Sequence, residues 1–201
     1  MHEHDTSMKE FWNEEYKKNN EPWTKPDEVF VKEIQSLEPG TAIDIGAGEG
    51  ANAIYLARKG WKVTAFDYAE EGVKTIKKMA EQKNVEIQTI VGSIMDYEFK
   101  DRFDLVLVVH LHLGPDERPV MLANAVKALA TGGTFIFIGV EPYEGMDESY
   151  KDQFAPTDEI AGIISKIPDI KIEKAEVIHR VISYPGGSEE VDSILIRATR
   201  T

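Results

Sequence analysis

Apolar positions along the chain change period repeatedly, and each change marks an element. Residues 7–20 place Phe11, Trp12 and Tyr16 at helical spacing. Pro26 and Asp27 open a second helix, "DEVFVKEIQSL", which Pro39-Gly40 closes. From there strand and helix patterns alternate. "TAIDI" reads as a short buried strand, and "GEGANAIYLARKG" as a helix that opens in glycines and stops at Gly60. "WKVTAFD" is the next strand. "AEEGVKTIKKMAEQKN" is a helix with acids first and lysines later, the order the helix dipole favours. "VEIQTIVGS" is a strand, and "FDLVLVVHL" is apolar almost throughout, as in a strand covered on both faces. "DERPVMLANAVKALATGG" predicts a helix ended by a glycine pair, with Glu117 and Arg118 at its solvated start, and "TFIFIGV" a further strand. Beyond Val140 the pattern turns polar and irregular. A short helix, "IAGIISKIP", then precedes two strands, "IKIEKAEVIHRVISY" and "VDSILIRATR", with "PGGSEE" between them as a hairpin link.

The order βαβαβ then βαβ predicts an α/β fold with a doubly wound, mostly parallel sheet of seven strands. The closing hairpin requires one C-terminal strand to run antiparallel to the rest. We read residues 1–201 as a single domain, with N-terminal helices over 1–38, a core over 39–140 and a closing segment over 141–201. No repeat or low-complexity linker interrupts it.

Composition narrows the chemistry. The 201 residues include no cysteine, which excludes disulfides, thiolate metal sites and cysteine nucleophiles. A formal net charge of −13 repels phosphate backbones and anionic lipid, so a small molecule suits this surface better than nucleic acid. No apolar run is long enough to span a bilayer, and the charged start lacks a signal-peptide core, so a cytoplasmic location is expected. Oligomeric state is not readable.

The strongest local signal is "AIDIGAGEGANA", Ala42 to Ala53. Gly46, Gly48 and Gly50 allow a tight strand-to-helix turn that presents bare backbone to a ligand. Asp67, at the end of the following strand, is placed to accept both hydroxyls of a ribose. A dinucleotide would satisfy the same letters. Asp44 argues against it, because a carboxylate beside the helix N-terminus opposes a pyrophosphate and favours a ligand that carries cationic groups.

Acid-x-Gly-x-Gly-x-Gly followed by Asp67, with "FDLVLV" and "LATGGTFIF" downstream, resembles the class I S-adenosylmethionine-dependent methyltransferases. "FWNEEYKKNNEPWTKPDEVF", "GEGANAIYLARKGWKVTAFDYAEEGV" and "HLHLGPDER" are similar to small bacterial and archaeal enzymes of the tellurite-resistance and thiopurine type. The resemblance implies S-adenosylmethionine as cofactor, S-adenosylhomocysteine as product, and methyl transfer to a small nucleophile. It implies that Asp44 orients the glycine loop and favours the methionine ammonium, and that Gly46 and Gly48 meet the methionine moiety through backbone. Asp67 would hold the ribose, with Tyr68 near the adenine and "GSIMD" along its edge. Ala47, Gly50, Ser93, Ile94 and Val109 complete the cofactor positions so implied. Ser93 stands where many relatives carry an acid, with Asp96 three residues on, and Thr131 replaces the proline before strand five. Trp12, Tyr16 and Trp23 would form a lid over cofactor and acceptor, and residues 141–168 would shape the acceptor side.

His110 and His112 leave several readings open. At i and i+2 of a strand both rings share a face and could meet one metal. No third ligand is spaced nearby, so no metal site is expected. A histidine at the end of this strand could instead act as general base or hold the acceptor, or both could pack. His2 and His4 read as terminal residues without a role. Two alternatives to methyl transfer remain: a Rossmann-type NAD(P)-dependent oxidoreductase, and a non-catalytic protein that binds S-adenosylmethionine.

Overall fold

The computed structural model describes residues 3–19, 21–149, 151–184 and 187–201, with the side chains of 3–7 and 183–184 outside the description. His2 and the His4 side chain therefore lie outside the described residues. Seven strands form one sheet in the order β3-β2-β1-β4-β5-β7-β6. β7 runs antiparallel to β5 and to β6, whereas β1, β2 and β3, and likewise β4 and β5, pair in parallel. This is the expected doubly wound sheet with its reversed C-terminal strand. The chain divides into two compact units, Met1–Tyr97 and Glu98–Thr201. Among the described residues no helix is long and apolar enough to cross a membrane.

The first unit contains α1 (Glu3–Lys18), α2 (Glu28–Ile34), β1 (Thr41–Ile45), α3 (Ala51–Arg58), β2 (Lys62–Asp67), α4 (Glu70–Lys83) and β3 (Ile87–Val91). Asp27 caps α2, its Oδ1 accepting from Val29 N–H and Phe30 N–H. Ala42, Ile43 and Ile45 of β1 are fully buried, as both-face cover requires. α3 starts at Ala51, later than the glycine-rich pattern predicts. Gly46, Gly48 and Gly50 all adopt positive φ (74°, 55° and 88°), so the glycines form the turn and the helix begins only beyond them.

The second unit contains β4 (Phe103–Val109), α5 (Arg118–Lys127), β5 (Leu129–Val140), a short 3₁₀ turn (Lys151–Gln153), α6 (Thr157–Ile164), β6 (Ile170–Tyr184) and β7 (Gly187–Arg200). Three boundaries differ from expectation. β4 stops at Val109, and His110 turns the chain with φ 56°. The two histidines therefore lie beyond the strand, and the same-face argument does not apply to them. α5 ends at Lys127 rather than at the glycine pair, because Phe103 N–H donates to the Ala128 carbonyl at 2.9 Å and draws the chain into β5. Leu129 then faces Phe103 and Thr134 faces Leu105, so the residues between bulge out. A Cβ on Gly133 would lie 2.9 Å from the carbonyl oxygens of Ala130 and Phe103, which explains why a glycine is needed there. β6 spans the residues expected, whereas β7 starts four residues earlier than its pattern suggests. Their pairing runs to Tyr184 and Gly187, so most of the expected link is strand; residues 185–186 lie outside the described residues.

Candidate functional site

The carboxyl ends of β1 and β2 hold the polar constellation of the first unit. Asp67 is buried, and its carboxylate organises the loop around it. One oxygen accepts Gly48 N–H at 2.8 Å and the other Ala69 N–H at 2.8 Å. The acid from β2 thereby fixes the middle of the glycine turn and the start of α4. Each oxygen keeps lone-pair capacity beyond these bonds, so a hydroxyl donor can still be accepted. Burial raises the pKa of Asp67, while the N–H donors of Ala69, Gly48 and Tyr68 work against that rise.

Asp44 is buried more deeply, and its Oδ2 has no hydrogen-bond partner among the described residues. Burial, and after it the nearby Asp67, raise its pKa to about 7 against a bond from the Ala53 backbone. A partnerless buried carboxylate oxygen costs free energy that a cation nearby would recover. Glycine turn, Asp44 and Asp67 thus suit a ligand with hydroxyls and positive charge. That is the chemistry of S-adenosylmethionine, with its ribose, ammonium and sulfonium.

Two glycines are required by close approach. A Cβ on Gly50 would come within 2.7 Å of Ile76 Cγ1, and one on Gly72 within 2.7 Å of the Gly48 carbonyl oxygen. Gly72, in the first turn of α4, carries no sequence signal of this role because its partner lies 24 residues away. Above this contact sits Tyr16. Its hydroxyl would be 3.0 Å from a Cβ on Gly48, and its ring would be 3.1 Å from one on Gly72. Burial, helped by Asp67, Glu49 and Tyr68, raises the Tyr16 pKa, so the hydroxyl stays protonated. Trp12 stacks on Tyr16 with centroids 5.5 Å apart, which puts two of the three expected lid aromatics together. Trp23 is exposed, but its backbone N–H donates to Glu49. α1 also ties to α4, since Asn13 Oδ1 accepts Glu71 N–H at 3.0 Å.

After β3 the chain folds back in a turn. Ser93 Oγ accepts Met95 N–H at 3.3 Å and Ser93 O accepts Tyr97 N–H at 3.0 Å. The Ser93 hydroxyl is thus engaged locally, Ile94 is buried, and Asp96 is exposed. Tyr68 is half-buried beside Asp67.

In the second unit Val109 is buried at the end of β4. His110 is exposed, and its N–H donates to Ile138 O at 2.8 Å. His112 lies with its ring centroid 4.3 Å from that of Phe154, and 6.2 Å from that of His110. Burial, with smaller contributions from His110 and Arg118, lowers the His112 pKa to about 3. Its imidazole is therefore neutral near pH 7 and a weak base. Its neighbour Arg118 is buried, bonds Glu159 of α6, and donates to Asp152 O at 2.9 Å. Arg118 thus departs from the solvated position its sequence context predicts: it pins the polar segment after β5 to α5. Among the described residues no three His, Cys, Asp or Glu side chains gather where a metal could sit.

Residues 42–133 match the family described as a methyltransferase domain. The probable S-adenosyl-L-methionine-dependent methyltransferase TehB of Haemophilus influenzae is 27% identical over 105 residues, 51% of this chain and 37% of that protein. Its crystal structure superposes with a TM-score of 0.74 at 16% identity, covering 88% of this chain and 63% of that one. A structure solved for the conversion of a disulfide bond into a thioacetal group during echinomycin biosynthesis gives a TM-score of 0.81 at 18% identity, covering 96% and 91%. A 23S rRNA (uracil(747)-C(5))-methyltransferase of Pyrococcus abyssi is 31% identical over 80 residues, 39% of this chain and 20% of that protein. The chain thus spans well under half the length of these curated relatives. The fold is that of the class I methyltransferases, and the matched segment is similar to a methyltransferase domain.

Proposed function

We propose that this chain, whose residues 42–133 match a methyltransferase domain, transfers a methyl group from S-adenosylmethionine to a small-molecule nucleophile in the cytoplasm. The observation that carries this reading is the buried, partnerless Oδ2 of Asp44 beneath a glycine turn that Asp67 holds in place. When bound, the cofactor would supply a sulfonium methyl whose carbon an N, O, S or metalloid nucleophile attacks in line, the C–S bond breaking to leave S-adenosylhomocysteine. Asp67 accepts from the ribose hydroxyls, and Asp44 offsets positive charge at the turn. Gly46, Ala47, Gly48 and Gly50 keep the backbone bare of side chains that would block it. Tyr68, Ser93, Ile94 and Val109 are the remaining cofactor positions. Tyr16, Trp12 and Trp23 exclude water, and alignment supplies most of the rate.

The protein's own acid–base contribution falls to His110. His112 is held neutral by burial against Phe154 and serves to position the segment around it. A base is required only for a nucleophile that arrives protonated. The net charge of −13 favours a neutral or cationic small acceptor over RNA. A pyrophosphate cofactor fits less well, because Asp44 would repel it. The test is an acceptor panel of thiols, amines, phenols, tellurite and RNA, scored by release of S-adenosylhomocysteine. Turnover with a small nucleophile supports the reading, and turnover with RNA alone overturns the acceptor class. Tight cofactor binding with no release across the panel would mark a binding protein instead.

A further inference from the structure

Glu49 stands inside the glycine turn, between two residues that the cofactor reading uses, yet its carboxylate points to other work. It is 9% exposed. Both oxygens accept from Asn19 Nδ2, at 2.9 and 3.0 Å, and Oε2 also accepts the backbone N–H of Trp23 at 2.9 Å. Three residues on, Asn52 Oδ1 accepts Asp27 N–H at 2.9 Å. Asn19 is itself oriented by Glu21 N–H, which donates to its Oδ1 at 3.2 Å. Two side chains that flank Gly50 are thus devoted to the chain between α1 and α2. α1, for its part, lays Tyr16 over Gly48 and Gly72.

We propose that Glu49 is a latch, a positioning residue that ties the N-terminal cover to the glycine turn and thereby slows cofactor release. The inference rests on the methyltransferase reading for its ligand, and on the hydrogen bonds alone for its mechanism. With the latch closed, Tyr16 stays over the turn. A ligand seated there leaves only after Asn19 and Trp23 detach from Glu49. Bonds to a buried carboxylate are stronger than neutral ones, so their loss has a measurable effect.

The donor–acceptor pattern can be reversed without changing size. Asn19→Asp alone sets two carboxylates against each other. In the double variant, Asn19→Asp with Glu49→Gln, the introduced amide NH₂ donates to the introduced carboxylate, and the amide oxygen still accepts Trp23 N–H. Two measurements read the latch. Hydrogen exchange at the Trp23 amide, in the ligand-free protein, is expected to be slow in wild type, fast in Glu49→Ala and Asn19→Asp, and slow again in the double variant. S-adenosylmethionine dissociation, followed by stopped-flow tryptophan fluorescence, is expected to quicken about tenfold in both single variants and to return to within about twofold of wild type in the double. Equal dissociation rates in all four proteins, with the amide deprotected in the single variants, would overturn the latch and leave a structural tie. A failure of the double variant to recover would also overturn it. If wild type binds no S-adenosylmethionine at all, the methyltransferase reading fails first, and the amide measurement reports that outcome separately.

Discussion

The glycine turn of the first unit and the His110–Arg118 stretch of the second are both rich in polar groups at strand ends, yet they are built differently. In the first, backbone geometry carries the design. Three turn glycines have positive φ, Asp67 accepts the backbone N–H groups of Gly48 and Ala69, and Asp44 Oδ2 has no partner among the described residues. In the second, side chains pack against side chains. His112 lies on Phe154, and Arg118 holds Glu159 and the Asp152 carbonyl. A site made from backbone admits few residue types at each position, so its letters narrow the ligand chemistry that it suits. A stretch made from side-chain packing can be rebuilt with many letters, so its letters name no ligand.

The sharpest way to break this contrast is at Gly50. Gly50→Ala forces a Cβ against Ile76 in a left-handed conformation, and we expect a loss of about 3 kcal/mol in chemical denaturation. A loss under about 0.5 kcal/mol would show that the turn is not held by its backbone. Next in size, Asp67→Ala removes the proposed ribose acceptor and the partner of Gly48 N–H. S-adenosylmethionine affinity is expected to fall about a hundredfold by calorimetry. On the other side of the comparison, His110→Ala is expected to lower turnover about tenfold with a protonated acceptor while leaving cofactor affinity nearly intact. Unchanged turnover would leave His110 without an acid–base role.

The smallest effect is a pH dependence. Burial, and after it the nearby Asp67, push the Asp44 carboxyl up to about 7, so a cationic ligand is expected to bind best once it is ionised. Affinity should rise a few-fold between about pH 6 and pH 8, a trend that Asp44→Asn should flatten. His112 acts on stability in the acid range. Its folded pKa lies below its ordinary value, so the unfolded chain takes up the proton first. The contribution is complete above about 6.5 and declines as pH falls toward about 3. His112→Leu should reduce that part of the acid sensitivity in denaturant titrations.

The same contrast governs what the sequence disclosed. Asp44, Gly46, Gly48, Gly50 and Asp67 are legible because local spacing alone specifies a strand, a tight turn and a second strand end. The strand alternation likewise foretells the sheet and its reversed C-terminal strand. Glu49, Asn19 and Gly72 are not legible, since each acts through a partner 24 to 30 residues distant that no periodicity links. The helix before β5 is shorter than its pattern because Leu129 and Ala130 suit helix and strand alike, and only pairing of Phe103 with Leu129 decides between them. His110 reads as strand because an apolar run continues past it; its positive φ is a backbone outlier that the letter does not announce.

The decisive experiment is calorimetric titration of the wild-type protein with S-adenosylmethionine, with NAD as the competitor ligand. Saturable binding of S-adenosylmethionine at one site, weakened about a hundredfold in Asp67→Ala, is expected, with no heat from NAD. Binding of NAD without binding of S-adenosylmethionine would contradict methyl transfer from S-adenosylmethionine.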